Sequence, residues 1–324
     1  MKRATKGEWL TMPQGVILLL ALIAPLILRG TEFSHLIRAA GSTGLYMLLA
    51  LGLNCTLGYV GLFDLGFIAF YAIGAYSAAV AAGCGAPFLV SLPLAIAVAM
   101  LVRLALGVTI LRLRGDYLAV VTMGFGEITR LVINNLEGIT NGPKGMQVPP
   151  ARIFGWTLSE NLHYYYLIMA CVLLAVIVSR RLEDSRLGRA WVAIREDETA
   201  ARLMGVETRK LELLAFVLSA AFAAMAGVIF AHWEQFVTPE SFVFWESILI
   251  VSMVVLGGMG SIQGCMMGAL ILGGGPQILQ AFLAGSRWID YRFMFFGCVL
   301  VLTVVFRPQG LWPSKRRAAE LDTA

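Results

Sequence analysis

The sequence predicts an all-α polytopic membrane protein of about ten transmembrane helices, and three observations carry that prediction. The first is composition: of 324 residues 59% are hydrophobic and 14% charged, with mean hydropathy +0.79. Soluble domains run near ~45–50% apolar and ~25% charged. The second is the series of apolar windows, each near the ~20 residues that a bilayer core of ~30 Å requires. The third is the placement of Lys and Arg. With the N-terminus inside, inner segments hold 17 of them, and outer segments hold only Arg29, Lys144, Arg152 and Arg287. The positive-inside rule then places both termini in the cytoplasm. Ample apolar surface excludes a disordered chain. The whole of 1–324 reads as one transmembrane domain, and the basic balance belongs to topology and membrane lipid rather than to nucleic acid.

The first span, 14–28, is short and follows Lys2, Arg3 and Lys6, like a signal peptide. No A-x-A site separates it from the next span, so a retained helix is expected. Spans follow at 36–57, 62–82, 88–111 and 117–136, then at 163–180, 211–231, 243–258, 262–284 and 289–306. The third and ninth are rich in Gly and compatible with broken or re-entrant helices. Between spans five and six an outer connection, 137–162, is full of Gly, Pro and Asn turn signals.

Between spans six and seven, residues 180–210 form an inner connection of different character. From 188 to 204 there is no Pro and no internal Gly, and Gly205 is a natural helix stop. Ala193, Ile194, Ala200, Ala201 and Met204 can share one face of a single amphipathic helix, with Arg195, Glu196, Asp197 and Glu198 on the polar side.

Charges inside spans need a reason, because each costs about 2.5–3.5 kcal/mol at a helix centre on the insertion scale. Arg38, Glu246 and Arg292 lie near span ends and can snorkel, and Arg103 can reach toward Arg112. Glu127 and Arg130 are deeper and three residues apart, so they can pair or line a wet pathway. Two glycine clusters, Gly58 with Gly61 and Gly257 with Gly258 and Gly260, precede the small-residue stretches 66–79 and 264–275. Close helix packing is the structural reading of these glycines, and backbone exposed to a pathway is the functional one.

Sites of chemistry are otherwise absent from the sequence. It contains no phosphate-binding G-x-x-x-x-G-K-[ST] loop, no H-E-x-x-H and no G-x-S-x-G. The histidines His35, His163 and His232 are far apart near outer span ends, and the five cysteines form no C-x-x-C pair. Neither a metal site nor a disulfide framework is suggested. Aromatic residues such as Trp156, Tyr164, Trp233 and Trp245 read as an interfacial belt.

Several motifs in one order resemble a known family. They are GYVGLFDLGFIAFYAIGAY (58–76), LRLRGDYLAVVTMGFGEITRLVINN (111–135), TNGPKG (140–145), GRAWVAIREDETAARLMGV (188–206), LAFVLSAAFAAMAG (214–227), FVTPESF (236–242), VVLGGMGSIQG (254–264) and FRPQGL (306–311). Together, over about 41–311, they resemble the permeases of ATP-binding-cassette importers for branched-chain amino acids, the LivM/LivH family, nearest its LivM-type subunit. The resemblance implies a type II importer permease fold in a bacterial inner membrane and a paired, LivH-like permease. It further implies two ATPase subunits and a periplasmic substrate-binding protein.

On that resemblance ATP and Mg belong to the ATPases, and this chain binds no cofactor and is not an enzyme. Ala193, Arg195, Glu196, Asp197, Glu198, Ala200, Ala201, Met204 and Gly205 would form the coupling helix that meets an ATPase. Asp64, Glu127, Arg130 and the two glycine clusters are candidates for pathway or gate. Leucine, isoleucine and valine are the expected solutes, while related permeases carry other amino acids, urea or short amides. The competing function is an ion-driven secondary carrier or channel, in which Asp64, Glu127 and Arg130 would couple the ion.

Overall fold

The computed structural model describes residues 34–113, 115–153 and 155–282, and beyond them Met294, Gly297, Cys298, Val301, Thr303, 305–307 and 310–312. The expected span at 14–28 lies outside the described residues, as does most of 289–306 with Arg292.

Helix α1 (Ser34–Leu53) continues through a π-helical turn, Asn54–Val60. It is followed by α2 (Phe67–Gly83), α3 (Phe88–Ile110), α4 (Asp116–Asn135) and α5 (Asn161–Asp184). Two short helices come next, α6 (Arg186–Glu196) and α7 (Glu198–Leu203), then α8 (Thr208–Glu234) and α9 (Phe244–Gly257). The expected ninth span is α10 (Ile262–Ala269), a π-helical turn at Leu270–Gly274 and α11 (Gly275–Phe282), joined end to end. Its glycines therefore locally widen a helical course.

Among the described residues five stretches are long and apolar enough to cross a membrane: Leu36–Val60, Phe88–Ile110, Asn161–Asp184, Thr208–Glu234 and Pro239–Gly257. The apolar α2 is shorter, because residues 61–66 have left the helix. Helix α4 has 20 residues but carries Asp116, Glu127 and Arg130.

At roughly 1.5 Å per residue, the 27 residues of α8 make a rod of about 40 Å, packed against α1, α2 and α3. Small residues let it approach α2. A Cβ on Gly74 would sit 2.5 Å from the Ala224 Cα, and one on Gly227 would sit 2.8 Å from the Ala75 amide nitrogen. In lipid, where apolar burial drives helix association little, such backbone proximity supplies the packing. Leu48, Leu49, Phe67, Phe70, Phe222, Met253 and Leu256 fill the core between these helices. Helices α3 and α4 turn Leu101, Val108, Val120 and Ile128 outward, as side chains do where lipid or another chain replaces water.

The connection after α4 is built from its turn residues, with Asn141, Gly142 and Gly145 all at positive φ. It adds two small antiparallel ladders that an all-α expectation does not contain. In one, β1 (Met146–Gln147) pairs with β4 (Phe236–Val237); in the other, β2 (Arg152–Ile153) pairs with β3 (Trp156–Thr157).

Two charges depart from the snorkelling expected of them. Arg103 is 2% exposed and forms an ion pair with Asp64, itself fully buried, instead of reaching toward Arg112. Glu246, in the first turn of α9, points inward and accepts a hydrogen bond of 3.2 Å from the Tyr46 hydroxyl. Arg38 stays at the surface, paired with Glu234 at 2.7 Å.

Candidate functional site

Residues 185–205 form a short element at the end of the bundle where α5 stops and α8 begins. The Ser185 hydroxyl opens α6 by accepting from the amides of Leu187 (3.1 Å) and Gly188 (3.2 Å). Trp191 then anchors it. Its side chain is fully buried, its indole N–H donates to the Leu211 carbonyl at 2.8 Å, and its ring lies parallel to Tyr59 with centroids 6.3 Å apart.

The single helix expected across 188–204 is two helices, and Asp197 divides them. Its backbone is extended (φ −154°) and its carboxylate accepts from the amides of Thr199 (2.8 Å) and Ala200 (3.0 Å). An aspartate that satisfies two orphan amides at an N-cap outcompetes helix continuation through the same position. The polar residues are thereby given separate tasks. Glu198 pairs with Arg202 at 2.5 Å, while Glu196 is the last residue of α6.

The break also divides the expected apolar face. Ile194 and Ala201 pack inward and Ala193 is half-buried, whereas Ala200 is exposed. Met204 is 85% exposed and its neighbour Leu203 83% exposed, just ahead of Gly205 at φ +86°. Leu203 was not among the expected site residues. Its signal in the sequence is a Leu-Met pair at a helix stop, where the preceding helix no longer dictates which way the chain faces.

Arg195 links this element to both glycine clusters. It donates to the Gly58 carbonyl at 2.5 Å, within the π-helical turn that ends α1. The Asn54 side-chain oxygen, one turn back, accepts from the Gly260 amide at 2.9 Å. Gly61 (φ +83°), Gly258 (φ +119°) and Gly260 (φ +81°) adopt backbone conformations that L side chains rarely take. A Cβ on Gly58 would lie 2.7 Å from the Gly260 nitrogen, and one on Gly257 would lie 3.0 Å from that of Cys265. Gly58, Gly61, Gly257, Gly258, Gly260 and Arg195 thus form one locus, with the backbones in contact. Asn54, Tyr59 and Trp191 complete it. A lone Asn inside an apolar window was the available sign of its place.

The three acidic and basic candidates are not brought together. Asp64 meets Arg103, whose guanidinium lies over the rings of Phe70 (4.4 Å) and Phe216 (4.0 Å). Glu127 and Arg130 pair with each other on α4 at 2.5 Å. Toward the opposite end of α1 lies a partly open cavity of about 220 Å³, bordered by α1, α2, α8, α9 and α11. Among the described residues no three His, Cys, Asp or Glu side chains converge as a metal site would require.

Comparison with known families matches residues 35–304 to the one described as the branched-chain amino acid transport system permease component. The chain is 39% identical over 331 residues to the high-affinity branched-chain amino acid transport permease LivM of Escherichia coli, covering 94% of this chain and 75% of that protein. It is 40% identical over 309 residues to LivM of Salmonella typhimurium, covering 88% and 71%. A shorter match, 30% identical over 189 residues, is to the Escherichia coli permease LivH, covering 56% and 60%. No solved structure matches the chain.

Proposed function

The chain belongs to the branched-chain amino acid transport permease family, and from that premise we propose that it is the membrane-spanning permease subunit of an ATP-driven importer for leucine, isoleucine and valine. A related permease of the LivH kind would pair with it, and its own similarity to LivH supports that pairing of like folds. Two ATPase subunits would carry the ATP and Mg, and a periplasmic protein would deliver the solute. In this arrangement the chain lies in the bacterial inner membrane with about ten spans in the type II importer fold and both ends in the cytoplasm.

The observation that carries the reading is the continuity from α7 to the helix ends. Leu203 and Met204 offer an uncovered apolar tip, and α6 is tied by Arg195 to the Gly58 carbonyl. Movement of an ATPase against that tip would be felt at the end of α1 and, through Asn54, at the turn between α9 and α10. These are the glycine turns suited to open or close a path. The acids expected to couple an ion in a secondary carrier, Asp64 and Glu127, each hold an arginine instead.

The test is uptake by the chain reconstituted with the subunits that copurify with it. Leucine uptake should follow ATP supply and persist with an ionophore present at constant ATP. Uptake without ATP, driven by an imposed ion gradient, would overturn this function.

A further inference from the structure

The cavity beside α1 contains chemistry that neither packing nor coupling uses. Its apolar lining includes Leu45, Leu49 and Ile68, and its polar lining Glu246, Tyr46 and Tyr71, with Glu234, neutralised by Arg38, also on its wall. Its volume of about 220 Å³ is many times the roughly 10–15 Å³ needed to admit one water, the scale of one small metabolite. Glu246 accepts from the Tyr46 hydroxyl, but among the described residues no cation pairs with it. An ionisable side chain turned into a membrane bundle marks a functional site by default. Its place in the first turn of α9 eases that charge through the helix dipole but does not explain its inward direction.

Tyr71 gives the second, independent sign. It is 7% exposed, lines the cavity, and its hydroxyl has no hydrogen-bond partner among the described residues. Its ring is held by Phe230 (5.4 Å) and Phe242 (5.2 Å), so the hydroxyl is presented in a fixed position. The hydroxyl opens into the cavity, where a ligand can meet it without displacing an internal hydrogen bond.

We infer that this cavity is a resting site for the transported amino acid within the permease itself, with Glu246 receiving the α-ammonium, the Tyr71 hydroxyl donating to the α-carboxylate, and Leu45, Leu49 and Ile68 taking the branched side chain. The inference rests on the amino-acid importer function proposed above. It makes the membrane subunit a second point of selection, for a primary ammonium joined to an aliphatic group.

The experiment uses the full complex purified through this chain, in lipid, without ATP or the delivering protein, and measures binding of tritiated leucine. Saturable binding is expected, displaced by isoleucine and valine and not by isocaproate, which is leucine's skeleton without the amino group. Tyr71→Phe keeps the ring and its neighbours, and should weaken binding about ten-fold or more, the effect of one hydrogen bond to a charged group. Glu246→Gln should weaken it about thirty-fold or more, as loss of a buried charge partner does. No saturable binding, equal displacement by isocaproate, or unchanged binding in both variants overturns the inference. ATP-driven uptake by the unsubstituted complex, measured in parallel, keeps the importer function standing in that case; absence of that uptake overturns the function instead.

Discussion

The Asp64–Arg103 pair is enclosed on every side, with the guanidinium between the rings of Phe70 and Phe216 and the second carboxylate oxygen accepting from the Gly66 amide at 3.2 Å. Breaking such a pair leaves a lone charge and costs about 3–5 kcal/mol, whereas removing both charges together can be neutral. Arg103→Met and Asp64→Asn should therefore each lower the temperature at which the detergent-solubilised chain aggregates, followed by size-exclusion fluorescence after heating. The double variant should regain most of the loss; equal damage in all three would show that the ion pair is not what holds these groups. Pairing of Glu127 with Arg130 was legible in the sequence, because a separation of three places both side chains on one helical face. Pairing of Arg103 was not, because its partner is 39 residues away in the chain and sits in a segment that has left the helix.

Among the elements, membrane helices were the most legible, since apolar windows fix them wherever lipid is the solvent. The window 163–180 lies within α5 (Asn161–Asp184), and 211–231 lies within α8 (Thr208–Glu234). The element at 185–205 was legible as helical and amphipathic but not as divided. Periodicity reports which faces are apolar, whereas the break depends on a local contest between side-chain capping and backbone continuation at Asp197. That difference changes what a mutation there tests. Ala201 packs against this chain, so Ala201→Glu should damage the chain's own stability. Leu203→Glu and Met204→Glu alter an uncovered tip. They should leave size-exclusion behaviour unchanged while reducing ATPase copurification about ten-fold or more, the scale of losing apolar anchors from an interface. Undiminished copurification with both tip residues changed would remove α7 from the contact.

At the scale of the whole chain, the orientation rests on the distribution of Lys and Arg, and single cysteines report it. With the existing cysteines replaced, Asn141→Cys should react with an impermeant maleimide in intact cells, and Glu198→Cys only after permeabilisation. The reverse pattern would invert the molecule and remove the basis for ATPase contact. The buried ion pair also bears on how the chain is made. Asp64 leaves the ribosome before Arg103, and α3 would otherwise insert bearing a charge that costs about 2.5–3.5 kcal/mol. An acid already waiting in the nascent bundle lets α3 partition into lipid as a neutralised hairpin with α2, against which it packs. The aromatic lid from Phe216 closes later, when α8 arrives. The order of residues along the chain is thus also a workable order of assembly.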